Sequence, residues 1–292
     1  KPDIMIYHAN CADGFGAAWA AWMKWGDTVE YVPCSYGQEP PDMSGKHVLI
    51  GDFSFKREAM ECYAQTAKSI IVLDHNATAK QELAQWICSG DFFADNIAAW
   101  IAKYEKPVAL FDMDRSGAVM VWQFCHPDTE VPMLLRLIED RDLWRFVLPE
   151  TKPFNVWLRC QPFDFEGWGL IAQRLKDGRD CDRIMSEANA MQRFFDQKVQ
   201  EMARRTRHMR IGGHVVPACN CPPEFCSEVA HAILERNQDA AFVACYWDTR
   251  DGRQFSLRSD NAGQHRCDVA EIAAKAGGGG HRNAAGFGVP LP

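Results

Sequence analysis

Apolar and polar positions alternate on two length scales through the first half of the chain. The short apolar runs "DIMIYH", "TVEYVP", "HVLIGDF", "SIIVLDH" and "PVALFD" read as strands. Longer amphipathic runs, "FGAAWAAWMKW", "KREAMECYAQTA", "TAKQELAQWI" and "SGAVMVWQFC", read as helices between or after them. This alternation predicts βαβ units on a parallel sheet. After about Pro149 the pattern turns helical and aromatic, and "CDRIMSEANAMQRFFDQKVQEMARRTRHM" predicts one long connecting helix. Beyond Gly212-Gly213, strands return in "HVVPA", "AAFVACYW" and "RQFSLRS", with helices at "PEFCSEVAHAILERN" and "CDVAEIAAKA". The expected fold class is α/β. It comprises a parallel-sheet N-terminal domain over 1–185, a helical linker over 186–211 and a smaller mixed α/β domain over 212–292.

Composition narrows the picture. At 292 residues the chain exceeds what one core usually serves, which agrees with two domains. No apolar run approaches a membrane span and no basic-then-apolar leader opens the sequence, so a cytoplasmic protein with no membrane attachment is expected. Twelve cysteines are scattered without a compact framework and are read as reduced thiols. The tightest group, Cys219, Cys221 and Cys226 with His214 or His231 nearby, lacks the paired spacing of zinc sites. A net charge of −7 argues against coating long nucleic acid, whose binding rests on phosphate neutralisation. For a phosphate-ester substrate, metal ions and a few local arginines must then supply the positive field, which favours a short or small molecule.

The candidate chemistry lies where apolar runs end. His8 closes the first strand and Asp13 follows at the start of a helix; Asp52 closes "HVLIGDF", and Asp74 and His75 close "SIIVLDH". Asp140 and Asp142 end an apolar helix in "LLRLIEDRDLW". A parallel sheet brings its carboxyl ends to one edge, where these groups can converge. Singly, each has a plain reading: Asp13 as a helix cap, the others as strand-stopping turns or a core histidine. Together they repel one another unless a cation neutralises them, and a mixed oxygen and imidazole set suits Mn²⁺, with Mg²⁺ or other divalent ions also compatible.

These motifs, in this order, resemble the DHH phosphoesterase superfamily, which includes RecJ-like exonucleases, nanoRNases and cyclic dinucleotide phosphodiesterases. "HANCADG" is similar to the first motif, "IGDFS" to the second, "LDHN" to the name-giving Asp-His-His and "EDRDLW" to the fourth. "GGGGHRNAAGF" resembles the signature of the DHH-associated C-terminal domain, with "FSLRS" on the strand before it. The resemblance implies two metal ions, with Mn²⁺ the expected cofactor. His8 and Asp52 would hold one, and Asp13, Asp52, His75 and Asp140 the other, with Asp52 shared. Asp13, Asp52, Asp74 and His75 form the implied catalytic set, Asp74 orienting His75. Asp142 is read as a supporting group or as an ion-pair acceptor for Arg141 or Arg145. Two departures stand out. Relatives carry an aspartate before the Asp-Gly pair where this chain has Asn10-Cys11-Ala12, and Asn76 replaces the last histidine of Asp-His-His.

The C-terminal glycines read either as a helix stop with a flexible loop or as backbone that approaches a phosphate closely. The resemblance assigns Gly279, Gly280, His281 and Arg258, together with Asn76, to substrate. The implied activity is metal-dependent hydrolysis of short single-stranded oligonucleotides or dinucleotides to nucleoside monophosphates, in an exonuclease or nanoRNase manner, by a monomer or homodimer. Alternatives are a phosphomonoesterase or polyphosphate-type hydrolase of another small phosphate ester, and a catalytically weak nucleotide-binding protein.

Overall fold

A computed structural model describes residues 1–88, 107–260 and 266–290. The chain divides into two compact units, Lys1–Gln192 and Arg193–Pro292.

Unit 1 is built on five strands: β1 (Ile4–His8), β2 (Glu30–Cys34), β3 (His47–Gly51), β4 (Ser69–Asp74) and β5 (Val108–Phe111). They pair in the order β2-β1-β3-β4-β5, all parallel. The central strands are apolar between their end residues because helices cover both faces, the usual condition of a parallel sheet. The strand order reverses between β1 and β3, and that switch point opens a crevice at their carboxyl ends.

One face carries α1 (Ala12–Trp25) and α4 (Gly117–Cys125), with α5 (Met133–Asp142), α6 (Thr151–Leu158) and α7 (Phe165–Arg174) beyond them. The alanine-rich α1 lets α4 approach closely: a Cβ on Gly16 would stand 2.9 Å from the Ala118 methyl. Trp19 stacks on Trp122 in the same interface. The opposite face carries a second cluster of Ile, Val and Met side chains from β1, β3 and β4 with Met60 of α2 (Arg57–Thr66). The helix expected over "TAKQELAQWI" is shorter, α3 (Ala77–Glu82), followed by a single tighter turn.

A long helix, α8 (Gly178–Ala203), runs across the boundary between the units. Its sequence pattern suggested continuation to Met209, but Arg207–Ile211 is strand β6, hydrogen-bonded to β7 (His214–Asn220). The positive-φ pair Gly212-Gly213 makes the turn between them, and the tertiary pairing overrides helical periodicity.

Unit 2 continues with α9 (Cys226–Arg236), β8 (Val243–Asp248), β9 (Arg253–Arg258), α10 (Val269–Lys275), β10 (Gly279–His281) and β11 (Ala284–Val289). The sheet order is β10-β11-β9-β8-β7-β6, antiparallel except for β7–β8. The molecule is therefore α/β, with an all-parallel sheet in one unit and a mixed sheet in the other. Among the described residues no helix is long and apolar enough to cross a membrane.

Candidate metal centre

His8 is the last residue of β1, Asp52 follows β3 and Asp74 ends β4, so strand geometry alone delivers three side chains to one edge of the sheet. Close packing then sets their positions. Gly14, one residue into the helix after Asp13, has room for no side chain: a Cβ there would lie 2.2 Å from the His8 carbonyl oxygen. Helix α1 thus starts directly against the end of β1. Asp52 adopts a left-handed backbone, φ 54°, and packs against Gly117, where a Cβ would meet the Asp52 Cβ at 2.4 Å. Non-glycine residues in that region are uncommon and gather at functional sites.

Asp13 sits in the first turn of α1, yet the amides it receives belong to another helix. Its carboxylate accepts Gly117 N–H at 2.7 Å and Ala118 N–H at 3.1 Å, at the amino end of α4. Ser116 caps the same helix by accepting from Val119. The α4 terminus therefore places Asp13 and, through Gly117, Asp52.

His75 is the hub. Its Nε2 lies 3.2 Å from Asp52 Oδ1, 3.4 Å from Asp142 Oδ2 and 3.7 Å from Asp13 Oδ2. Asp74 acts on it through the backbone: Oδ1 accepts the amides of His75 and Asn76, while Oδ2 accepts the Ser54 hydroxyl. On the other side of Asp52, His8 Nδ1 is 3.9 Å from Oδ2. The Cys11 sulfur falls within 4.8 Å of ligand atoms of both His8 and Asp52, at the place where the resemblance implied an aspartate.

The fourth motif differs from the expected assignment. Residues two apart on a helix point about 200° from one another, so Asp140 and Asp142 cannot face the same way. The structure brings Asp142 to Asp13 and His75. Asp140, expected among the metal ligands, is buried and accepts Val147 N–H, Leu148 N–H and the Thr151 hydroxyl, which organises the segment between α5 and α6. Arg145 is also structural, donating to the Asp114 carbonyl, and Arg141 stacks over the Trp144 ring. Asn76 caps α3, its side-chain oxygen accepting Ala79 N–H. Tyr36 escaped the sequence reading: its ring is 61% exposed and lies against Phe53, 5.8 Å from the His8 ring. No periodic signal marks such a residue, because it lies in the chain that leaves β2.

The electrostatics show a pocket short of positive charge. Burial and the neighbouring Asp13 raise the Asp52 carboxyl well above its usual range. Enclosure and Asp13 likewise lift Asp142 to about 6. Burial opposes a charged His75, but the hydrogen bond to Asp52 and the charges of Asp142 and Asp13 outweigh it and raise the imidazole to about 10. Burial and Asp52 hold Cys11 as a thiol, and burial pushes His8 toward its neutral form. Carboxylates that resist ionisation around an imidazole that holds its proton fit a bound divalent cation, which would take the proton's place and remove the repulsion. The groups divide into His8, Cys11 and Asp52 on one side and Asp13, His75 and Asp142 on the other, with Asp74 beside Asp52 and His75.

In unit 2 the register pairs His281 with Ala284 and Ala284 with Arg258. Direct partners in an antiparallel sheet project to the same face, so His281 and Arg258 flank a small residue on one face. Arg258 donates to the Ser256 and Ser227 hydroxyls and the Leu257 carbonyl. The glycine run divides: Gly277, at φ 80°, and Gly278 donate to the Ala274 and Ala273 carbonyls and stop α10, while Gly279 and Gly280 begin strand β10. A Cβ on Gly278 would lie 2.0 Å from the Gly286 oxygen and one on Gly280 2.5 Å from the Ala284 oxygen, so both are required by the β10–β11 hairpin. Gly279 has open space at its Cβ position and no such packing requirement.

A parallel sheet with the strand order 2-1-3-4-5, acidic and imidazole groups gathered at its carboxyl edge, and a mixed-sheet second unit make up a fold that is shared with solved structures. Among solved structures, the pGpG-specific phosphodiesterase PggH of Vibrio cholerae is similar at a TM-score of 0.50 and 12% identity, covering 99% of this chain and 93% of that one. RecJ of Thermus thermophilus in complex with Mn²⁺ is similar at a TM-score of 0.42 and 14% identity, over 99% of this chain and 49% of that one. In sequence, the uncharacterized protein R106 of Acanthamoeba polyphaga mimivirus is 29% identical over 306 residues, covering 98% of this chain and 67% of that protein. No protein-family model matches the chain.

Proposed function

We propose that the protein is a metal-dependent phosphodiesterase that hydrolyses short oligonucleotides or dinucleotides to nucleoside monophosphates. The observation that carries this reading is the meeting of His8, Asp13, Asp52, His75 and Asp142 at the switch point of a parallel sheet. In this proposal His8 and Asp52, with Cys11 alongside, hold one cation, and Asp13, Asp52, His75 and Asp142 hold the other. A divalent cation, Mn²⁺ or Mg²⁺, supplies acidified water and neutralises charge at phosphorus. The protein's own part is positional. Asp74 and the α4 terminus fix the ligands, and Asn76 can donate a hydrogen bond to phosphate but cannot carry a proton. Tyr36 offers a ring face to a base, and His281 and Arg258 are assigned to substrate phosphate.

Substrate size follows from charge. A chain at −7 gains little from long nucleic acid, whereas a molecule with one or two phosphates needs only a local positive field. The likeness to a pGpG-specific phosphodiesterase is one of fold, and a dinucleotide is a substrate compatible with it. Mn²⁺-dependent hydrolysis of labelled RNA and DNA oligomers graded in length tests the reading. Monophosphate release, fastest on the shortest substrates and abolished by Asp52→Ala, is expected. Preferential release of inorganic phosphate from a monoester, or tight dinucleotide binding without turnover, would refute it.

A further inference from the structure

A second group of potential ligands lies in unit 2, where the acidic cluster plays no part. Three cysteines meet there: Cys221 just after β7, Cys226 at the start of α9 and Cys245 on β8. The sequence grouped Cys221 and Cys226 with Cys219, His214 and His231. The fold instead turns His214 toward Cys267 and pairs His231 with Glu235, and it brings in Cys245 from 19 positions beyond Cys226. No linear spacing could have signalled that addition.

We propose that Cys221, Cys226 and Cys245 form a binding site for a thiophilic d¹⁰ cation, Zn²⁺ or Cu⁺. Geometry carries the proposal. The Cys221 and Cys226 sulfurs are 3.7 Å apart, and all three lie within 4.8 Å of one another. The centre of an equilateral triangle lies its side divided by √3 from each corner, so these separations leave a point about 2.1–2.8 Å from each sulfur. That span brackets the zinc–thiolate bond of about 2.3 Å. The three residues are 0–3% exposed, so a cation held there exchanges slowly with water.

The surroundings favour thiolate at Cys226, whereas hydrogen bonds with the neighbouring cysteines push Cys221 up, and Cys226 together with burial pushes Cys245 up, so a cation must displace their protons. Cys226 is the first residue of an eleven-residue helix, whose amino end stabilises negative charge. Hydrogen bonds from Cys221 and Cys245 lower the Cys226 thiol, and the Arg258 guanidinium acts in the same direction. Cys219, register partner of Cys245 on the parallel β7–β8 pair, is hydrogen-bonded to Cys221 and also directs its thiol to the Met202 carbonyl. Sulfur donors select soft cations, whereas the unit 1 cluster, oxygen and imidazole apart from the Cys11 thiol, suits Mn²⁺ or Mg²⁺, so one chain can sort two kinds of metal.

The test uses the full chain, purified reduced and stripped of metal. All spectroscopic samples carry Cys11→Ser, which takes that sulfur out of the unit 1 cluster. Co²⁺ stands in for Zn²⁺ because thiolate ligation gives it a near-ultraviolet charge-transfer band that carboxylate and imidazole ligation lacks, and a Cu⁺ arm uses competition with a chromophoric Cu⁺ chelator. Saturation of one arm at about one equivalent is expected, with affinity falling at least about tenfold in Cys221→Ser and in Cys245→Ser and unchanged in Cys62→Ser. Absence of sulfur ligation in both arms, or a signal that persists in both buried variants, overturns the proposal. Because a buried substitution can unfold unit 2, alkylation of the wild-type chain gives an independent reading. Bound Zn²⁺ should slow labelling of Cys221, Cys226 and Cys245 about tenfold while buried Cys125 in unit 1 labels at its metal-free rate. Equal protection at all four positions refutes the site.

Discussion

Asp140 and Asp142 stand two residues apart on α5, and exchanging each for asparagine separates a structural carboxylate from the proposed ligand. Asp142 is lifted from 3.8 to about 6 by enclosure and by Asp13. That displacement corresponds to about 3 kcal/mol against its charged form, and partial solvent access reduces it to about 1–2 kcal/mol. A carboxyl raised on folding costs stability that is absent below its unfolded value and fully present above its folded one. Metal-free Asp142→Asn should therefore be more stable than the parent by about 1–2 kcal/mol at pH 7, and the difference should vanish near pH 4. If Asp142 is the proposed ligand rather than a supporting partner, the same substitution should weaken Mn²⁺ binding by about a hundredfold. Asp140→Asn should do the reverse. It sets an amide against the N–H groups of Val147 and Leu148 and the Thr151 hydroxyl, losing about 2–4 kcal/mol of stability, while the folded protein keeps its Mn²⁺ affinity. Denaturant melts with chelator and calorimetric Mn²⁺ titrations read both quantities. A destabilised metal-free Asp142→Asn, or a larger loss of Mn²⁺ affinity in Asp140→Asn, would sink the assignment of Asp142.

Further outcomes follow from the same geometry. Gly117→Ala drives a methyl into Asp52 backbone-tied atoms at 2.4 and 2.7 Å, so it should cost about 2–4 kcal/mol and lower metal occupancy, measured by melts and metal analysis. Mn²⁺ must displace protons from His75, held at about 10, and from Asp142, at about 6, so affinity should fall as pH drops from about 8 to about 5. A flat calorimetric profile over that window would contradict the ligand set. His281→Ala and Tyr36→Ala should each raise KM about tenfold with metal content unchanged, which steady-state kinetics beside metal analysis will show.

How much of this was legible in the sequence depends on the range of the interaction. Period and run length revealed the strands that carry His8, Asp52 and Asp74, because a strand's apolar pattern and its terminal residue are local properties. Parallel pairing then guaranteed one shared edge. The choice between Asp140 and Asp142 was not local: it depends on which way α5 is rotated against α1 and on the backbone amides that follow. The role of Gly117 depends on Asp52, 65 positions earlier, and the amides received by Asp13 come from a helix more than 100 residues away. Likewise, Arg207–Ile211 became a strand because β7 offered it hydrogen bonds that helical periodicity could not foresee.

By itself, then, the sequence determined the α/β class, the two-part organisation and the edge on which acidic groups gather, since these follow from hydrophobic period and chain direction. Only tertiary structure decided which carboxylate joins His75, which glycines serve packing and which cysteines meet. Those outcomes are set by distances between segments remote in the chain, and no local pattern encodes them.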